Sequence, residues 1–396
     1  MPFDLSEASA RRAIEGLRAN VGLVSDQLEP AEVYARAVWS VLVEPGDSEA
    51  GALIAAVGAA AALRVAADGS GDALDRARAR WLPRLQPSTV AAALDAARRC
   101  GARLVVPGDE AWPARFADLD AHAPVALWRR GRGSSPDAPA VALVGARAAT
   151  AYGEGVAADL AAELTAAGVV VISGAAYGID GACHRGALST GGTTVAFLAG
   201  GVDRPYPRGH AGLLDRIAAT GAVWSETPCG AAPTKWRFLS RNRLIAAMAD
   251  AVVVVEAGWR SGSLNTAGHA AMLGRRLGAV PGPITSAASA GCHRVLREFD
   301  GVCVTSAADV LEMLGLDGVV GSGGARPAVN GSTDDTTRLF DALSPRSATS
   351  VDDVARRSGL ARDDAAMLLG FAELEGRAVR DDDGAWRSVA RGSGPL

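Results

Sequence analysis

The sequence predicts an α/β protein built on a doubly wound, mostly parallel sheet, with a helical domain before it and a winged-helix-like domain after it. Three observations carry this. From 101 to 316, short apolar runs alternate with helical segments, the βαβα order of a sheet covered on both faces. Several runs end in glycine-rich turns, where such a sheet hands over to a helix. Residues 317–336, "DGVVGSGGARPAVNGSTDDT", are Gly, Ser and Pro with few apolar anchors, the composition of a flexible linker.

The elements follow in order. Residues 1–100 read as a helical domain, with apolar residues three and four apart in "AEVYARAVWSVLVEP" and "STVAAALDAARRC". "ARLVVPGDEAWPARFADL" reads as strand, turn and helix. Six further runs read as strands: 140–145, 169–174, 193–201, 221–226, 249–257 and 277–282. Beyond the linker, in 337–396, Thr349 or Ser350 caps a helix, Gly359 turns the chain into a second helix, and "DDDG" turns a short hairpin. That outline is a winged helix. Three acids in its wing repel phosphate, so a protein-contact or regulatory role for 337–390, or none, is expected rather than duplex binding.

Composition narrows the function. The 396 residues suit two or three domains. A hydrophobic share of 49% supplies sizeable cores, and 21% charged residues exclude a mostly disordered chain. A net charge of −4 excludes a body coated in positive charge, so any nucleic-acid site is a local patch. Five cysteines, Cys100, Cys183, Cys229, Cys292 and Cys303, form no C-x-x-C pair and read as buried thiols of a reducing compartment. The five histidines show no metal pattern. Neither a metal nor a cofactor is expected. The N-terminus has no apolar signal core. The run "AGALIAAVGAAAAL" is glycine-broken and shorter than the ~20 residues a bilayer needs, so it reads as a buried helix. A cytoplasmic protein is expected.

The carboxyl ends of parallel strands are where such sheets bind ligands. "VGARAATAYG" follows the first central run: Gly145 permits a close turn, Arg147 projects, and Thr150 caps a helix whose N-terminus suits phosphate. "SGAAYGIDGACHRGAL" adds Ser173, Gly174 and Gly178, with Asp180 as a helix cap. "AGGVDRPYP" holds Asp203 and Tyr206 in a proline-bounded loop. "EAGWRSGSLNTAGHAA" adds Ser261, Gly262, Ser263 and Thr266. None is a dinucleotide fingerprint or a P-loop.

The same rim takes "KWRFLSRNRL", residues 235–244, which packs Lys235, Arg237, Arg241 and Arg243 into nine residues. Lys235 is the chain's single lysine, in keeping with a GC-rich coding bias. With Ser240 as cap, Arg241 and Arg243 fall in a first helical turn, where cations oppose the dipole and an anion relieves them. Trp236 and Phe238 beside these cations suit a single strand, whose phosphates are tracked while its bases stack. The plainer alternative makes both aromatics core anchors and pairs the arginines with acids from elsewhere.

Taken together, these motifs with "SETPCG", "FLSRNRLIA", "VVVVEA", "SGSLNTA" and "AVPGP" resemble the DNA-processing protein A family (DprA, also called Smf) over roughly 100–310. The resemblance implies an extended Rossmann-like domain that binds single-stranded DNA without catalysis. It also implies protection of incoming strands in natural transformation, loading of a RecA-type recombinase, and a homodimer. By position it places Arg147 at the arginine of the family's Gly-Ser-Arg motif, with Ala146 where Ser is common. Ser173, Gly174, Gly178 and Asp180 fall in a second motif, where Tyr177 replaces a residue that is often basic. Lys235, Arg241, Asn242 and Arg243 fall in the basic motif. The competing reading is a Rossmann-like enzyme of the phosphoribohydrolase type, with Glu226 or Glu256 at a strand end as acid or base.

Overall fold

The structure is a computed structural model and describes residues 2–18, 28–69, 74–132, 138–316, 335–374, 376–381 and 383–389. Six helices come first: α1 (Glu7–Ile14), α2 (Pro30–Leu42), α3 (Ser48–Val57), α4 (Ala59–Asp68), α5 (Asp75–Trp81) and α6 (Pro87–Arg99). The Ala-rich run expected as one buried helix is two. Gly58 breaks it at φ +82, and α3 and α4 meet at 118°. No single described helix is long and apolar enough to cross a membrane.

The chain then lays down β1 (Arg103–Val105), β2 (Leu127–Gly131), β3 (Ala140–Gly145), α7 (Ala151–Ala166), β4 (Val170–Ser173), α8 (Ile179–Ser189), β5 (Thr194–Phe197), α9 (Ala211–Thr220) and β6 (Ala222–Ser225). After these come α10 (Lys235–Met248), β7 (Ala251–Glu256), α11 (Ser263–Met272), β8 (Arg276–Ala279), α12 (Ala290–Glu298), β9 (Val302–Cys303) and α13 (Ala307–Leu314). Nine strands form one sheet in the order β1-β2-β6-β5-β4-β3-β7-β8-β9. β1–β2 and β2–β6 pair antiparallel and the rest parallel. The apolar runs form the interior because helices cover both faces: every residue of β4 and β7 is buried.

That strand order fixes the ligand crevice. From β3 the chain winds through β4 and β5 to β6, then returns to β7 on the other side of β3 and continues outward. The loops after β3 and β7 therefore diverge, which makes this the topological switch point.

The first unit spans residues 1–321. Its N-terminal helices are not a separate body, because one hydrophobic cluster joins Trp39, Leu63 and Trp81 of the helices to Trp128, Ala196 and Val223 of the sheet. All five cysteines are free thiols, and Cys303 is exposed rather than buried.

The second unit, residues 322–396, contains α14 (Asp335–Ala342), α15 (Val351–Ser358), α16 (Arg362–Leu374), β10 (Ala378–Arg380) and β11 (Trp386–Ser388). Ser350 caps α15 by accepting from Asp353 N–H, and Gly359 ends it at φ +69. Leu339, Val354, Leu369 and Trp386 form its core. The hairpin pairs antiparallel, completing a winged-helix outline. The expected linker lies outside the described residues except its last two, which open α14.

Candidate nucleic-acid interface

At the switch point the carboxyl ends of β3 and β7 open into a cleft of about 480 Å³. Of the residues singled out in the sequence, Gly145, Ala146, Arg147, Asp180, Phe238, Arg241, Asn242, Ser261, Gly262, Ser263 and Thr266 line it. Thr150, Ser173, Gly174, Gly178, Lys235, Arg237 and Arg243 do not.

Arg241 forms the floor. It is buried, and its Nη1 donates to the carbonyls of Gly174 (2.8 Å) and Phe197. Its Nε donates to Asn242 Oδ1 at 3.2 Å. These bonds hold the guanidinium rigid, while Nη2 has no hydrogen-bond partner among the described residues. Burial pushes its pKa down to about 10, Asp180 pulls it back up and Arg147 adds repulsion, so the group stays cationic at neutral pH. Gly174 is required for this placement, because a Cβ there would lie 2.0 Å from Arg241 Nη1. Burial raises the Asp180 carboxyl against the pull of Arg241, and among the described residues Asp180 is the one acid lining the cleft.

Arg147 guards the mouth. It is exposed, has no carboxylate partner among the described residues, and lies 4.6 Å over the Phe238 ring. Gly178, at φ +71, lets the next loop pack under it; a Cβ would meet the Ala146 carbonyl oxygen at 2.3 Å. Asn242 Nδ2 donates to the Gly262 carbonyl and to Asn265 Oδ1, tying α10 to the start of α11. There the Ser261 and Ser263 hydroxyls lie 2.7 Å apart, and Thr266 is buried.

Several expectations are corrected. Thr234, not Ser240, caps α10, so Arg241 and Arg243 lie beyond its first turn and the dipole argument does not apply to them. Arg243 faces away from the cleft: it is buried, with Nη2 2.8 Å from Glu226 Oε1 and Nε on the His122 carbonyl. Arg237 is clamped by both oxygens of Glu44 at 2.9 Å. Ser173 turns its hydroxyl to the Leu143 carbonyl inside the sheet. Thr150 does cap α7, but that helix start already holds an anion: Glu256 accepts from Thr150 N–H at 3.0 Å and from its hydroxyl at 2.5 Å. Asp180 caps no helix, since Gly178 holds the N-cap of α8. Trp236, weighed as a core anchor, is 61% exposed. Glu226 and Glu256, the candidate acid and base, are thus bound to Arg243 and Thr150 and do not line the cleft.

The structure adds Arg204, Arg208 and Arg260, which the sequence reading passed over, to rings and a lysine that it had named. Arg260, exposed and without an ion-pair partner among the described residues, lines the cleft beside Arg147. Phe238 lies 5.2 Å from Tyr206, which lines a neighbouring cleft of about 650 Å³ with Arg204 and Arg208. Tyr177 is exposed and reaches Gly209. Lys235 is exposed at the first position of α10. Cations without an ion-pair partner among the described residues therefore share the rim with exposed Tyr177 and Tyr206 and half-buried Phe238. "DRPYPRG" in the sequence carried the signal, with two arginines around a tyrosine.

The profile of the DNA recombination-mediator protein A family matches residues 103–315, and that of the DprA winged helix domain matches 324–384. A putative DNA processing protein DprA of Mycobacterium tuberculosis is 47% identical over 315 residues, 76% of this chain and 80% of that protein. The DNA processing protein DprA of Streptococcus pneumoniae is 40% identical over 207 residues, 51% of this chain and 71% of that protein. An X-ray structure of DNA processing protein A from Streptococcus pneumoniae superposes with a TM-score of 0.60 at 31% identity, covering 71% of this chain and 97% of that one.

Proposed function

Because the chain belongs to the DNA recombination-mediator protein A family, we propose that it binds single-stranded DNA along the switch-point rim and hands the strand to a RecA-type recombinase. The observation that carries the reading is the clustering of rings with cations that have no ion-pair partner among the described residues: Arg147 over half-buried Phe238, Phe238 against exposed Tyr206, and Arg204 and Arg208 beyond. Cations neutralise successive phosphates, and rings stack bases of any identity. A duplex hides its base faces, so the rings favour a single strand. Arg241 supplies a preorganised charge at the floor, its position fixed before any ligand arrives.

The recombinase, a second copy of this chain, and a role in protecting incoming strands during natural transformation enter from the family resemblance. Binding without catalysis is the simplest chemistry for this site, since the two carboxylates of the enzyme reading are engaged elsewhere.

The test is fluorescence anisotropy of a labelled oligothymidine and a matched duplex, titrated at several salt concentrations. Tighter binding of the single strand is expected. If four of these cations each meet a phosphate, log affinity falls against log salt with a slope near ~−3, from ~0.7 per phosphate on single strands. Equal affinity for the duplex, or affinity indifferent to salt, would refute the proposal.

A further inference from the structure

A third cleft, of about 690 Å³, lies where the N-terminal helices meet the loop after β6. Arg84 and Arg99 line it from the helical side, Arg204 and Arg237 from the sheet side. Two carboxylates oppose these four arginines, and both are engaged. Glu44 sits between Arg84 and Arg237, at 2.8 and 2.9 Å. Asp203 accepts from Gly230 N–H at 2.9 Å. Arg99 and Arg204 are exposed and have no ion-pair partner among the described residues. The floor is apolar, with Val43, Ala93 and Ala96, a surface on which a base can lie.

This cleft continues the rim. Arg204 and Asp203 line both it and the Tyr206 cleft, and Tyr206 touches Phe238 of the switch-point cleft. From the continuity of the three clefts and the arginines in the last, we infer that the N-terminal helices carry the far end of the single-strand path, with Arg99 and Arg204 on its phosphates. The occupant is a phosphodiester strand rather than a free nucleotide, because the cleft opens into the next one instead of closing around a small molecule. This rests on the single-strand reading above and extends it to a part of the chain outside the matched 103–315 segment.

The experiment compares two oligothymidines, one of ~6 nucleotides, enough for the switch-point cleft, and one of ~20, enough for all three, in line with sites of ~4–16 nucleotides per single-strand-binding module. Arg99→Glu is the test variant. Arg64→Glu, an exposed reversal on α4 that lines none of the three clefts, controls for net charge, and circular dichroism checks folding. Arg147→Ala reports on the switch-point cleft. The expected result is at least a ~10-fold loss with Arg99→Glu on the long strand, with the short strand unaffected and Arg64→Glu silent on both, as removal of a phosphate contact and a stacked base predicts. If Arg99→Glu matches Arg64→Glu on the long strand, the extension is wrong while the single-strand reading stands. If it weakens short and long strands alike, Arg99 belongs to the first cleft and the extension is again wrong. If Arg147→Ala weakens neither strand, the single-strand reading itself fails.

Discussion

At the scale of single residues, two arginines one position apart from a shared neighbour do opposite work. Arg241 faces the cleft floor; Arg243 faces Glu226, with both side chains 7% exposed. A buried pair stripped of one member leaves an uncompensated charge. Arg243→Ala is therefore expected to destabilise the fold by about 3–5 kcal/mol, read as a drop in the urea midpoint. An unchanged midpoint would show that Arg243 is free for ligand after all. The sequence made the cationic cluster visible but not its sorting. Arg237 finds Glu44 across 193 residues of chain, and Glu226, just past β6, meets Arg243 of α10 only in the folded chain. Local spacing carries no record of either. The glycines were more legible, because their requirement is local: Gly174 admits a guanidinium and Gly178 admits a carbonyl.

At the scale of elements, the strands were readable from their unbroken apolar runs, and their carboxyl-end loops do converge on a cleft. Helix starts were less readable, because a Ser or Thr side chain caps only where the helix begins just after it, and the apolar pattern does not mark that residue. α10 begins at Lys235 behind Thr234, whose hydroxyl accepts from Arg237 N–H at 3.3 Å, six residues before the expected Ser240 cap. Thr234→Ala is expected to cost about 1 kcal/mol, while Ser240→Ala, inside the helix, costs less. Paired thermal or urea denaturation of the two variants checks this, and the reverse order would contradict the assignment. α7 shows a different limit. Its N-terminus suited a phosphate by sequence, yet Glu256 arrives from β7, 106 residues on, and occupies it. A helix start is an anion site only until the protein supplies its own anion.

At the scale of the whole molecule, the sheet order decides where function can sit. The β3–β7 adjacency is not written in any one segment; it arises because the chain returns across β3 after β6. It brings Arg147 and Arg260, 113 positions apart by their numbering, to the same cleft. The fusion of the N-terminal helices to the sheet through one core was equally invisible, since each half reads as self-sufficient. A body of net charge −4 disfavours indiscriminate coating of duplex DNA, which the proposed single path requires.

The measurement that tests that path most directly is the salt dependence of oligothymidine binding by the wild type and by Arg147→Ala/Arg260→Ala. If both arginines meet phosphates at the switch-point cleft, the variant's log–log slope is shallower by ~1.4, from ~0.7 for each lost contact on a single strand. A variant that binds with the wild-type slope would place the strand elsewhere and contradict the account.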